Sequence, residues 1–98
     1  MCLPSTGSAT ATLLAEDDKT KVTRWDFAPG TTTGWHEHEM DFVVIMMCDG
    51  HMAFTSGDEV IETEVKLGDT YQRPKGVQHD VRNPGPGPLS FIEVELKG

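Results

Sequence analysis

Gly34-Trp35-His36-Glu37-His38-Glu39-Met40-Asp41 runs directly into Phe42-Val43-Val44-Ile45-Met46-Met47, and the fold turns on how this junction is read. Its second half is a short, unbroken apolar run with several β-branched residues, the pattern of a buried strand. In extended chain, side chains alternate between faces. His36 and His38 therefore project to one side, and Glu37 and Glu39 to the other. Two imidazoles aimed at one point suit a first-row transition metal ion, provided the rest of the chain supplies further ligands. Trp35, adjacent to His36, is expected to pack on the opposite face.

Outward from the junction the chain reads as short strands separated by turns. Lys21 to Ala28 alternates, with Thr23, Trp25 and Phe27 on one face and Arg24 and Asp26 on the other; this is a half-buried strand. Asp49-Gly50 is a turn that joins antiparallel strands. Strands are expected over His51 to Thr55, Glu59 to Lys66, Thr70 to Arg73, Val77 to Arg82 and Leu89 to Leu96. In the last of these, Ile92, Val94 and Leu96 oppose Glu93 and Glu95. The Met46-Met47-Cys48 run reads as apolar strand filling. No stretch has a helical period, and Gly, Pro and Asp turns recur along the chain. The expected fold is all-β, a sandwich or barrel.

Ninety-eight residues make one domain with one core. Residues 1–12 read as an N-terminal arm, flexible or strand-exchanging, and residues 13–98 as the domain; Thr12 to Ala15 can add a short strand. Sixteen acidic against eight basic residues give a net charge of −8. That argues against nucleic acid and anionic membrane surfaces as partners. The two cysteines, Cys2 and Cys48, do not make a disulfide framework. With no apolar leader and no run long enough to span a bilayer, a cytoplasmic protein is expected.

A second chemical stretch lies between Gly68 and Asn83. It places His79 on the strand that follows the tight turn Pro74-Lys75-Gly76. Here the chain resembles the cupin family. One cupin motif is glycine, five residues, His-x-His, three or four residues, glutamate, six residues, glycine; Gly30, His36, His38 and Gly50 match it. The other is glycine, five residues, Pro-x-Gly, two residues, histidine, three residues, asparagine; Gly68, Pro74, Gly76, His79 and Asn83 match it throughout. The resemblance implies a single-domain jelly-roll β-barrel. It also implies one divalent transition metal ion (Fe, Zn, Ni, Cu or Mn) bound by His36, His38 and His79.

The motif glutamate is absent. Seven residues before Gly50 stands Val43, and Asp41 is the nearest carboxylate. Strand period places Asp41 and Val43 on one face. Asp41 is thus a candidate for the metal, for a hydrogen bond to a ligating histidine, or for plain exposure. Three neutral imidazoles leave a divalent ion its full charge and open positions, which favours anionic chelators and acidifies bound water. Within cupins, three-histidine sites resemble those of thiol and β-diketone dioxygenases, which use ferrous iron.

Tyr71 and Arg73 share a face of the strand before the Pro74 turn. If that face lines the barrel, Tyr71 is a candidate proton donor and Arg73 a candidate clamp for a substrate carboxylate; otherwise they meet solvent or a partner subunit. His51 reads as a surface or edge residue. The leading function is a metal-dependent cupin acting on a small anionic metabolite by dioxygenase-, isomerase- or lyase-type chemistry, with Asp41 or Tyr71 handling a proton. The alternatives are a non-catalytic metal- or metabolite-binding sensor module and a metal-free remnant of the fold. Some small cupins of this pattern carry labels linked to amino-acid or β-alanine breakdown. A homodimer is expected, because an N-terminal strand exchanged between copies would cover a sheet edge.

Overall fold

The computed structural model describes residues 7–97; residues 1–6 of the expected arm, Cys2 among them, lie outside the described residues. Nine strands follow in order: β1 (Thr10–Glu16), β2 (Thr20–Phe27), β3 (His36–Glu37), β4 (Asp41–Met46), β5 (Gly50–Ser56), β6 (Glu59–Val65), β7 (Thr70–Arg73), β8 (Gln78–Arg82) and β9 (Leu89–Leu96). They form a five-stranded sheet ordered β1-β2-β9-β4-β7 and a four-stranded sheet ordered β3-β8-β5-β6. Every strand pair is antiparallel. This is the expected all-β jelly roll, built as two facing sheets. No helix long and apolar enough to cross a membrane occurs among the described residues.

The core lies between the sheets and comprises Phe27, Phe42, Val44, Met46, Met52, Val65, Val81, Leu89 and Phe91. Even-numbered residues of β4 and odd-numbered residues of β2 and β9 point into it, because a strand presents alternate side chains to each face. Phe27 and Phe91 sit on the facing sides of adjacent strands with ring centroids 5.5 Å apart. Near Asn83 the chain is drawn together by one buried amide. Its Nδ2 donates to the carbonyls of Phe27 and Gly87, and its Oδ1 accepts from Gly85 N. The last motif position is therefore an organiser of the β2–β3 and β8–β9 connections.

Three local expectations are revised. Trp35, immediately before the edge strand β3, is 55% exposed. In the Met46-Met47-Cys48 run Met46 fills the core and Cys48 packs partly against it, its Sγ accepting from Ser90 N at 3.3 Å, while Met47 turns outward. The first strand begins at Thr10, inside the expected arm, and pairs along its length with β2 while its side chains remain exposed.

Candidate metal centre

Two turns fix the histidines. Gly34 and Gly76 have φ of 81° and 96°, in a region that only glycine enters without a Cβ clash. The segment before His36 is stitched to β8: Thr33 N donates to Val81 O, Val81 N to Thr33 Oγ1, and Thr32 Oγ1 to Asp80. The turn before β8 is stitched to His38, whose N donates to Val77 O and whose carbonyl accepts from Gly76 N at 2.7 Å. In the register of β3 against β8, His36 stands opposite His79. All three imidazoles thus come from one wall of the barrel.

Their geometry suits an ion. His38 Nε2 lies 3.0 Å from His36 Nε2 and 3.0 Å from His79 Nε2, and the three form a set with donor atoms within 4.8 Å of one another. Two nitrogens each about 2.1 Å from a shared ion, at right angles, are separated by about 3.0 Å. A hydrogen bond explains these contacts less well, since a neutral Nε2 offers either one proton or one lone pair, not one for each neighbour. His36 Nδ1 lies 2.9 Å from Gly34 O; donating its proton there leaves Nε2 with a free lone pair. Burial lowers His38 and His79 to about 4, helped by repulsion from the neighbouring imidazoles. Both rings are therefore neutral, as metal ligands must be.

The opposite wall is different in kind. It is lined by Phe42 and Val44 from β4, Tyr71 from β7, Trp25 from β2, and Phe91 and Glu93 from β9, around a cavity of about 320 Å³. Phe42 stacks on His38, with ring centroids 3.7 Å apart. Position 42, not 43, faces the histidines, so the inward place on β4 is held by an aromatic ring. Val43 points to the outer face, beside Gln72 and Leu96.

Asp41 shares that outer face, as strand period requires, and is therefore placed away from the imidazoles. Its Oδ1 accepts from Lys75 N at 2.8 Å, which braces the turn that holds His38. Arg73 shares the inner face of β7 with Tyr71, opposite Phe42 in register, but its side chain is exposed and does not line the histidine cavity; its guanidinium lies 5.3 Å from the Tyr71 ring centroid. Tyr71 does line the cavity, and burial raises its phenol well above the usual range. Its hydroxyl meets Met52 Sδ at 4.0 Å. His51 is exposed on β5, and Glu37 and Glu39 are exposed at the cavity rim.

The expected β9 pattern, with Ile92, Val94 and Leu96 as the apolar face opposing Glu93 and Glu95, gives Glu93 no place at the site; the structure turns it inward. It is 8% exposed, its Oε2 lies 3.9 Å from His38 Nε2, and its Oε1 accepts from Trp25 Nε1 at 3.4 Å. Burial, with Glu95 close by, raises it to about 7. Parity puts Leu89, Phe91 and Glu93 on one face of β9, but Ile92, Val94 and Leu96 make the other face apolar as well, so the sequence does not mark Glu93 as inward.

The chain belongs to the cupin family: residues 23–95 match the cupin domain model. Among its relatives, the Beta-alanine degradation protein BauB of Pseudomonas aeruginosa is 34% identical over 89 residues, covering 91% of this chain and 94% of that protein. A Germin-like protein of Arabidopsis thaliana is 31% identical over 74 residues, which span 72% of this chain and 34% of the plant protein. The crystal structure of a cupin domain from Bordetella pertussis superposes with a TM-score of 0.89 at 37% identity, covering 94% of this chain and 96% of that one. A double-stranded β-helix protein from Klebsiella pneumoniae gives 0.78 at 27% identity, with 98% and 83% covered.

Proposed function

We propose that His36, His38 and His79 hold one divalent transition metal ion and that the protein acts on a small metabolite bound to it through an anionic group. The observation that carries this reading is the convergence of three Nε2 atoms, those of His36 and His79 each 3.0 Å from that of His38, at a cavity large enough for a small molecule. When bound, the ion would supply Lewis-acid chemistry and positions for exchangeable ligands. The protein's own part is to orient the ligand between the imidazoles and the apolar wall of Phe42, Val44 and Phe91, and to limit water there. Tyr71 contributes to the cavity lining, and its hydroxyl, which now donates only weakly to Met52 Sδ at 4.0 Å, is the nearest phenol proton available to a bound ligand. The relationship to BauB supports a role in the breakdown of a small metabolite; the three-histidine donor set favours dioxygenase-type chemistry within that role.

The test is elemental analysis of purified protein beside His38→Ala, each checked for native β-sheet content by circular dichroism. The wild type is expected to carry up to one equivalent of a transition metal and the folded variant little or none. Equal metal content in the two would overturn the site.

A further inference from the structure

We propose that the metal-bound ligand carries an ammonium group, which Glu93 receives on the wall facing the histidines. This rests on reading the three imidazoles as a metal centre, and it narrows the ligand from an anion to a compact zwitterion.

The charges around the cavity point this way. Its lining includes four carboxylates, Glu37, Glu39, Glu93 and Glu95, against a single protein cation, Lys21. Lys21 stands directly across from Glu95 in the β2–β9 register, and so offsets the carboxylate nearer the rim. The Arg73 guanidinium is exposed and does not line the cavity, though its charge is felt at Tyr71 and His79. Deeper in, Glu93 has no Lys or Arg within ion-pair distance among the described residues; its one such contact is the His38 imidazole at 3.9 Å. Oε1 is occupied by Trp25 Nε1, and Oε2 has no hydrogen-bond partner there.

Oε2 is left open to the cavity, where a cation from the ligand would complete it and hold the carboxyl ionised. An ammonium satisfies it with a charge-assisted hydrogen bond, while the Trp25 indole N–H holds the carboxyl from its other oxygen. An anionic group at the ligand's other end suits a divalent ion held by imidazoles with no carboxylate ligand. Glu93 lies close to His38, so the carbon linker between the two ends is short.

Matched probes test this: 3-aminopropanoate and propanoate, titrated calorimetrically into metal-loaded wild type and Glu93→Gln, with metal content measured on the same samples. The wild type is expected to bind the amino acid about tenfold more tightly or better, the range of a charged hydrogen bond. Glu93→Gln should lose that preference while keeping its metal and its affinity for propanoate. Equal binding or no binding of the two probes by metal-loaded wild type overturns the inference, as does a preference that survives Glu93→Gln. Wild-type protein that takes up no metal overturns the metal centre, and with it this inference; the elemental analysis tells the two failures apart.

Discussion

The two walls of the cavity are made by opposite means. The histidine wall is built from turns: positive-φ glycines, the Pro74-Lys75-Gly76 corner and backbone bonds that tie His38 to Val77 and Gly76. The facing wall is built from strand parity alone, with Phe42, Val44, Phe91 and Glu93 inward because of where β4 and β9 start their alternation. Turns specify position through local chemistry, so they hold a ligand set in place residue by residue. Parity specifies a whole face at once, and a single step of register would exchange every side chain on it.

The largest effect expected from breaking this contrast comes on the first wall. His79→Ala should remove bound metal almost completely, as elemental analysis will read directly, because two imidazoles cannot replace a buried third. On the second wall the most severe loss is Phe42→Ala. It empties a fully buried ring position against His38 and should cost about 3–5 kcal/mol in urea denaturation. Phe42→Ala with unaltered stability would mean that the stack on His38 does not form.

Acid should separate the walls further. His38 and His79 are lowered to about 4 in the folded protein, whereas an unfolded imidazole titrates near 6.5. Between these values the unfolded chain binds more protons, so metal-free protein loses stability as pH falls from about 6.5 toward 4. Glu93, raised to about 7, acts in the other direction: folded protein keeps its proton where the unfolded chain has lost it. Two imidazoles outweigh one carboxyl, and Glu93→Gln should steepen the fall. Thermal unfolding of metal-free protein across this range checks both signs; a melting temperature that rises toward pH 4 would contradict them.

Smaller effects sharpen the same comparison. Asp41→Ala removes the acceptor for Lys75 N and should cost about 1 kcal/mol of stability, with metal content nearly unchanged. Val43→Glu should change metal content least of all, because position 43 faces away from the imidazoles; increased metal affinity in that variant would place it inside after all. For assembly, we propose a homodimer in which the exposed Leu13 and Leu14 of β1 take part. Deleting residues 1–12 should then shift the size-exclusion profile toward the monomer, and an unshifted profile would remove the arm from that role.

The amino-acid sequence by itself determined the strand succession, the turns and the three histidines. Each of these is written in local chemistry: Gly, Pro and Asp at corners, period-two patterning between them, and His-x-His held to one face by that period. It also determined that Asp41 and Val43 share a face. What only the tertiary structure decided is which face that is. β9 carries Ile92, Val94 and Leu96 on one side and Leu89, Phe91 and Glu93 on the other, and apolar residues on both sides leave the inner one unmarked. The pairing of β9 between β2 and β4 turns Phe91 inward, and Glu93 goes with it. The same pairing sends Asp41 out to the Pro74 turn and turns Phe42, one residue before the motif position 43, toward the histidines. The carboxylate nearest the histidines consequently stands on the opposite sheet, far along the chain from the place its motif assigns it.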